Sequence, residues 1–237
     1  MTYTLLARCP RTGQVGIGIA TYSICVGLYC NGLGANVGAA MTQAFVNQAN
    51  NTLALHLLAM GLAPARVLEE LKANDANAEY RQIAVIDREG QAIAYSGPRT
   101  RGWSGHKVGE GYVAMGNMLA GLHVVEAMAQ AYEAFARESF ERRLLRAIEA
   151  GRDAGGQVGN EGHLTERSAA LRVFGAYDHS EVDLRVDLHD KAVDELRRGF
   201  EEYELYREYY RERGDNPKNA IPQHEFAQRL ARREAAQ

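Results

Sequence analysis

The run Val15-Gly-Ile-Gly-Ile-Ala20 limits the fold of this chain more than any other segment. Branched apolar residues alternate with glycine, so residues 14–20 read as a β-strand. Val15, Ile17 and Ile19 share one face, and glycine leaves the other face almost bare. A bare face implies that something packs very closely against it. The strand is therefore expected inside a layered protein, covered on both sides. Residues 2–7 alternate as well, with Thr2, Thr4 and Leu6 on one face, and Pro10, Thr12 and Gly13 supply a turn between the two runs. The pair reads as a β-hairpin beginning at the N-terminus.

Further along, Val37, Ala39 and Met41 alternate within a third strand over 34–43. Leu53, Leu57, Met60, Val67, Leu68 and Leu71 recur at helical spacing across 51–73, and Gly61 with Pro64 divides that stretch into two helices. Residues 81–87 and 91–96 form a second hairpin around the Asp87-Arg88-Glu89-Gly90 turn, and 112–115 is a short strand. Two helices over 122–136 and 139–150 lead into a Gly-rich polar loop at 151–166. A last strand pair, 168–174 and 182–186, precedes a charged helix over 191–213 and a short final helix opened by Pro222. Hairpins with helices gathered in pairs indicate an α+β fold rather than a doubly wound parallel sheet.

Hydrophobic residues make up 46% of the 237, enough for a continuous core. A net charge of −3 gives no basis for a nucleic-acid footprint. No run approaches the ~18 apolar residues of a membrane span and no charged-then-apolar leader opens the chain, so a soluble cytoplasmic protein is expected. Cys9, Cys25 and Cys30 contain no Cys-x-x-Cys pair and suit buried thiols in a reducing compartment. His163, His179 and His189 with Asp187 and Asp190 match no ligand spacing, so no metal is expected. Gly32-x-Gly34 and Gly109-x-Gly111 lack the setting and the Lys-Ser/Thr ending of a phosphate loop. No cofactor is expected.

Several segments together carry a family resemblance. Met1-Thr-Tyr-Thr-Leu-Leu-Ala-Arg8, the strand at 15–20, and Gly38-Ala-Ala-Met-Thr-Gln-Ala44 occur in order with Trp103-Ser-Gly-His106, Gly116-Asn-Met-Leu119, Ser168-Ala-Ala-Leu171 and Val182-Asp-Leu-Arg-Val-Asp187. In these the chain resembles the bacterial domain-of-unknown-function 1028 family, usually grouped as Ntn-hydrolase-like (N-terminal nucleophile), over about residues 2–199. The resemblance implies a four-layer αββα sandwich, two antiparallel sheets face to face between helix layers. It also implies that the first residue of the mature chain points into the cleft between the sheets. Met115 stands where the family often has Gln, and Tyr22-Ser23-Ile24-Cys25 replaces its usual basic or aromatic residues. Residues 1–199 are expected to form this domain. Residues 200–237 form a charged helical extension, packed on the domain or at an oligomer interface.

The residues then permit one economical chemistry. Once Met1 is removed, the Thr2 hydroxyl can act as nucleophile with its own α-amine as general base, because an α-amine titrates near neutral pH. The alternative is a β-branched residue in an edge strand with its amine still blocked. Asn117, at a strand end, suits an oxyanion donor or a turn residue that satisfies its own backbone. Ser23, Thr42 and Gln43 close strands with polar groups fit for substrate contact, or for local hydrogen bonds. His106, beside Trp103, suits a pocket wall or a satisfied loop position. Tyr203, Tyr206, Tyr209 and Tyr210 recur on a helix, for packing on their own domain or for a homo-oligomer contact. Two functions are compatible with these groups: hydrolysis of a small amide or peptide-like molecule with Thr2 as nucleophile, or non-catalytic ligand binding or assembly on the same scaffold.

Overall fold

The computed structural model describes residues 1–29, 32–177 and 179–234, so Cys30 lies outside the described residues. In chain order the elements begin with β1 (Thr2–Arg8), β2 (Val15–Thr21), β3 (Leu33–Gly34) and β4 (Gly38–Ala44), then α1 (Gln48–Ala59) and α2 (Pro64–Asn74). Next come β5 (Arg81–Asp87), β6 (Ala92–Ser96), β7 (Trp103–Gly109) and β8 (Tyr112–Leu119), followed by α3 (Leu122–Ala134) and α4 (Phe140–Asp153). The chain continues with β9 (Gln157–Gly159), β10 (Gly162–Leu164), β11 (Ser168–Phe174) and β12 (Ser180–Val186), and ends with α5 (Ala192–Asp215) and α6 (Gln223–Glu234).

The strands form two antiparallel sheets, giving an α+β fold. One runs β10-β9-β8-β1-β2-β11-β12, with β7 also on β8; the other runs β3-β4-β5-β6. The N-terminal hairpin pairs Tyr3 with Ala20 and Arg8 with Val15. Leu6, Ile17, Ile19, Val113 and Met115 of the larger sheet share one buried cluster with Ala39, Met41, Ala84 and Ile86 of the smaller. The inner faces of both sheets therefore build a common core. A second cluster puts Ala40, Ile83 and Val85, the other parity of β4 and β5, against Ala54, Leu58, Val67 and Leu71 of α1 and α2.

The bare face of β2 is occupied by α4. A Cβ on Gly18 would lie 2.8 Å from Cγ1 of Ile148 and 3.0 Å from the Leu144 carbonyl oxygen, and one on Gly16 would lie 2.8 Å from Cδ1 of Leu144. Helix and sheet thus touch through backbone. Gly18→Val is expected to force them apart and lower stability by about 1–3 kcal/mol, the usual range for overpacking. A urea midpoint equal to that of the wild type would show that α4 is not seated there.

Four features depart from the sequence reading, the first being that the short strand expected over 112–115 continues to Leu119, so that Asn117 lies within β8. The strand expected over 34–43 is split by a turn at 35–37 into β3 and β4, with Gly38 at φ +142°. The segment at 103–109 is a strand, β7, which lacks apolar alternation and is hard to see as one. The polar loop expected at 151–166 contains the short hairpin β9–β10, whose three-residue strands are too brief for a periodic signal.

Asp75, after α2, ties the smaller sheet to its helices. Its carboxylate accepts from Asn47 Nδ2, Asn50 Nδ2 and Arg81 Nε, each at 3.0 Å, and from the Asn77 N–H at 3.0 Å. Burial works to raise its pKa, but the hydrogen bonds from Arg81, Asn47, Asn77 and Asn50 outweigh burial and hold it well below the ordinary carboxylate value. Arg81 also donates to the Phe45 carbonyl at 2.6 Å, fixing the chain just beyond β4.

The chain divides into two compact units, Met1–Arg197 and a second beginning at Arg198. Within the second unit, Tyr209 stacks on Phe226 with ring centroids 4.4 Å apart, and Tyr206 meets Phe226 edge-on at 5.5 Å. Tyr210 stacks on Tyr206 at 5.7 Å and accepts from Gln223 Nε2 at 3.1 Å, so three of the four tyrosines pack on their own unit. Among the described residues no helix is long and apolar enough to cross a membrane, and no group of three His, Cys, Asp or Glu could hold a metal ion.

Candidate functional site

Polar residues replace apolar ones at one end of the layer between the sheets. On β2, Thr21 has the parity of Val15, Ile17 and Ile19; on β1, Thr2 and Thr4 have that of Leu6; on β8, Asn117 follows Val113 and Met115. Gln43 and Gln82 continue the inward rows of β4 and β5 and face each other in register. The five inward rows thus exchange hydrocarbon for hydroxyls and amides at the same end.

Here a small cavity of about 70 Å³ opens between the sheets. Thr2, Thr21, Ser23 and Gln43 supply polar groups to its wall, and Ile19, Val26 and Met41 supply apolar surface. Ile24 and Val46, at its rim, are substantially exposed. Both Thr2 Oγ1 and Thr21 Oγ1 donate to the carbonyl oxygen of Met1. The Ser23 N–H donates to Thr21 Oγ1 at 3.2 Å, which leaves the Thr21 proton free to point at that carbonyl. The terminal amine of Met1 is held below its ordinary pKa, first by burial and then by the nearby positive charge of Arg101. An amine in this place is neutral over more of the physiological range than one in water.

Behind the cavity lies a buried amide network. Thr4 Oγ1 donates to Gln43 Oε1 at 2.6 Å. Gln43 Nε2 and Asn117 Nδ2 both donate to Gln82 Oε1, at 3.0 and 2.9 Å. Gln82 Nε2 donates to Ser96 Oγ and the Gly116 carbonyl, each at 2.8 Å. Ser96 Oγ lies 3.0 Å from His106 Nδ1. Thr4, Gln43, Gln82 and Asn117 are all buried, so each bond replaces one that water would otherwise make.

Backbone strain gathers at the same end. Cys25, Ala44 and Met118 have positive φ values of 59°, 71° and 53° without being glycine. Ala44 lines the cavity, Cys25 lies between the lining residues Ile24 and Val26, and Met118 follows Asn117. Such conformations cost about 1–3 kcal/mol each and cluster where geometry serves a ligand or a reaction.

The structure brings together Thr2, Ser23 and Gln43 of the residues singled out from the sequence. Asn117 pairs directly with Thr2 across β1 and β8, but its amide donates to Gln82 and it does not line the cavity. Thr42 has the outward parity of Ala40, toward α1 and α2, and is not brought to the cavity. His106 sits on β7, largely in solvent, with its pKa lowered by partial desolvation; it reaches the network only through Ser96. Thr21 and Gln82 were missed. Each is a polar residue at an inward position of an otherwise apolar row, and that parity is the signal that finds them.

The model of a family of unknown function, DUF1028, matches residues 2–196. The crystal structure of a Silicibacter pomeroyi protein under the same family model is similar to this chain, with a TM-score of 0.75 and 30% identity over 85% of this chain and 88% of that one. No curated protein matches.

Proposed function

The chain belongs to the DUF1028 family of unknown function, and we propose that it is a hydrolase of small amides or peptide-like C–N bonds, with Thr2 as an N-terminal nucleophile. The reading places it in the N-terminal-nucleophile class, with a four-layer αββα sandwich. Sheets that share a core, with α1 and α2 on the outer parity of one and α4 on that of the other, support this class.

One observation carries the chemistry: the Thr2 hydroxyl lines a cavity between the sheets and contacts an acyl carbonyl there, that of Met1. Met1 is the acyl group on the Thr2 nitrogen, so its carbonyl stands in for the acyl carbonyl of a substrate. After Met1 is removed, the α-amine of Thr2 takes the Oγ proton as Oγ attacks the substrate carbonyl. The ammonium then protonates the leaving amine, and water hydrolyses the Thr2 ester. Gln82 and Asn117 hold β8 beside Thr2 and act as positioning residues.

Tag-free protein expressed from its own start codon is expected to weigh one methionine less than the translated sequence. That protein should hydrolyse members of an amide library, and Thr2→Ala should lose at least about 10³-fold in rate, as expected for removal of a nucleophile. Retention of Met1, or an active Thr2→Ala, would sink the proposal.

A further inference from the structure

Resting on that reading, we propose that Thr21 is the donor to the substrate's acyl oxygen and that the cavity selects a short, uncharged aliphatic acyl group. Thr2 Oγ1 and Thr21 Oγ1 converge on one carbonyl oxygen, and Thr21 Oγ1 is held by the Ser23 N–H at 3.2 Å. The amide of Asn117, the other donor near Thr2, is directed to Gln82 at 2.9 Å. A fixed hydroxyl aimed at the acyl oxygen stabilises the negative charge that develops there when Oγ attacks.

The wall decides the acyl group. No side chain among the described lining residues carries a charge, and Arg101, whose charge reaches the terminal amine, is not among them, so a carboxylate or ammonium on the acyl chain would be desolvated with no charged side chain in the wall to pair it. Ile19, Val26 and Met41 instead offer hydrocarbon. The volume of about 70 Å³ is roughly that of two waters at about 30 Å³ each, and departure of Met1 enlarges it. The fitting acyl group is about as long as the methionine it replaces.

The test uses the Met1-free protein with p-nitrophenyl esters of acetate, butyrate, succinate and dodecanoate. Thr2 Oγ bonds to the acyl carbon, the bond between that carbon and the phenolic oxygen breaks to release p-nitrophenolate, the Oγ proton passes to the Thr2 amine, and water then frees the acid. Release above the Thr2→Ala background is expected for acetate and butyrate, at least about tenfold faster than for succinate or dodecanoate. Thr21→Val should slow acetyl transfer about 10²-fold, the loss typical of a removed oxyanion donor. Thr21→Ser should restore most of it and keep the wild-type unfolding midpoint, and Thr21→Val should keep a cooperative unfolding transition. Succinate or dodecanoate reacting as fast as butyrate overturns the acyl selection, and Thr21→Val within about threefold of wild type overturns the donor role; in both cases the Thr2 reading stands. No Thr2-dependent release from any ester overturns both readings together.

Discussion

Gln82→Leu is expected to lower the unfolding midpoint by about 10 °C. Leucine fills similar space but offers no acceptor, so the Gln43 and Asn117 amides each lose the oxygen they donate to, at 3.0 and 2.9 Å. A buried donor left unmatched costs about 1–3 kcal/mol. Ser96 Oγ and the Gly116 carbonyl lose a donor as well. The sum is about 3–5 kcal/mol, and a domain of 150–250 residues shifts by about 2–4 °C per kcal/mol. Thermal unfolding followed by circular dichroism reads the shift directly. Adding Gln43→Leu should cost less than the two single losses combined, because the pair shares one bond. A fall of under about 2 °C for Gln82→Leu would mean that the network contributes little, and an additive double variant would mean that its members act independently.

Asp75→Asn is expected to cost about 3–5 kcal/mol, the range for breaking a buried ion pair from one side. Asp75 and Arg81 are both largely enclosed, with the carboxylate side chain at 4% exposure. Asparagine would also turn an NH₂ group toward the donors of Asn47, Asn50 and Arg81. The effect depends on pH in a definite direction. The folded-state pKa of Asp75 is depressed, so its contribution is full above the unfolded carboxylate value of about 3.9 and is lost as pH falls below it toward the folded value. Urea midpoints measured from pH 7 down to pH 3 should fall for the wild type over that acid limb and fall less for Asp75→Asn. Parallel pH profiles would remove Asp75 as the source. Because Arg81 also holds the Phe45 carbonyl, the variant should loosen the chain at Ala44 and Val46 beside the cavity, read as faster amide exchange there.

Periodicity made most of the fold legible. The alternation at 15–20 gave both the strand and the close contact on its glycine face, because a missing Cβ is a statement about space that any neighbour must respect. The identity of that neighbour, α4, required the fold. Likewise the parity of β1 put Thr2 and Thr4 on the side of Leu6, and the structure places that side toward the other sheet. Periodic signals fade where side chains stop reporting burial. β7 is half-exposed with glycines at 105 and 109, and β9 and β10 are three residues each, so none of them announced itself.

The site divides in the same way. Thr2 could be chosen from its position, and Ser23 and Gln43 from their places at strand ends. Asn117 was legible as a polar strand end, yet only packing directs its amide to Gln82, a residue 35 positions away in the other sheet. Thr42 and Gln43 are neighbours in sequence with opposite fates, since one residue along a strand changes the face and only the sheet pairing says which face is inward.

By itself, then, the sequence determined local conformation, strand parity and the inventory of reactive groups, all set within a few residues along the chain. The tertiary structure decided which of those groups meet. The convergence of Thr2 and Thr21 on the Met1 carbonyl, with the Ser23 N–H on Thr21, joins β1 to the end of β2, and the Gln43–Gln82–Asn117 network joins two sheets. Such meetings depend on how the layers stack, and no spacing along the chain encodes them.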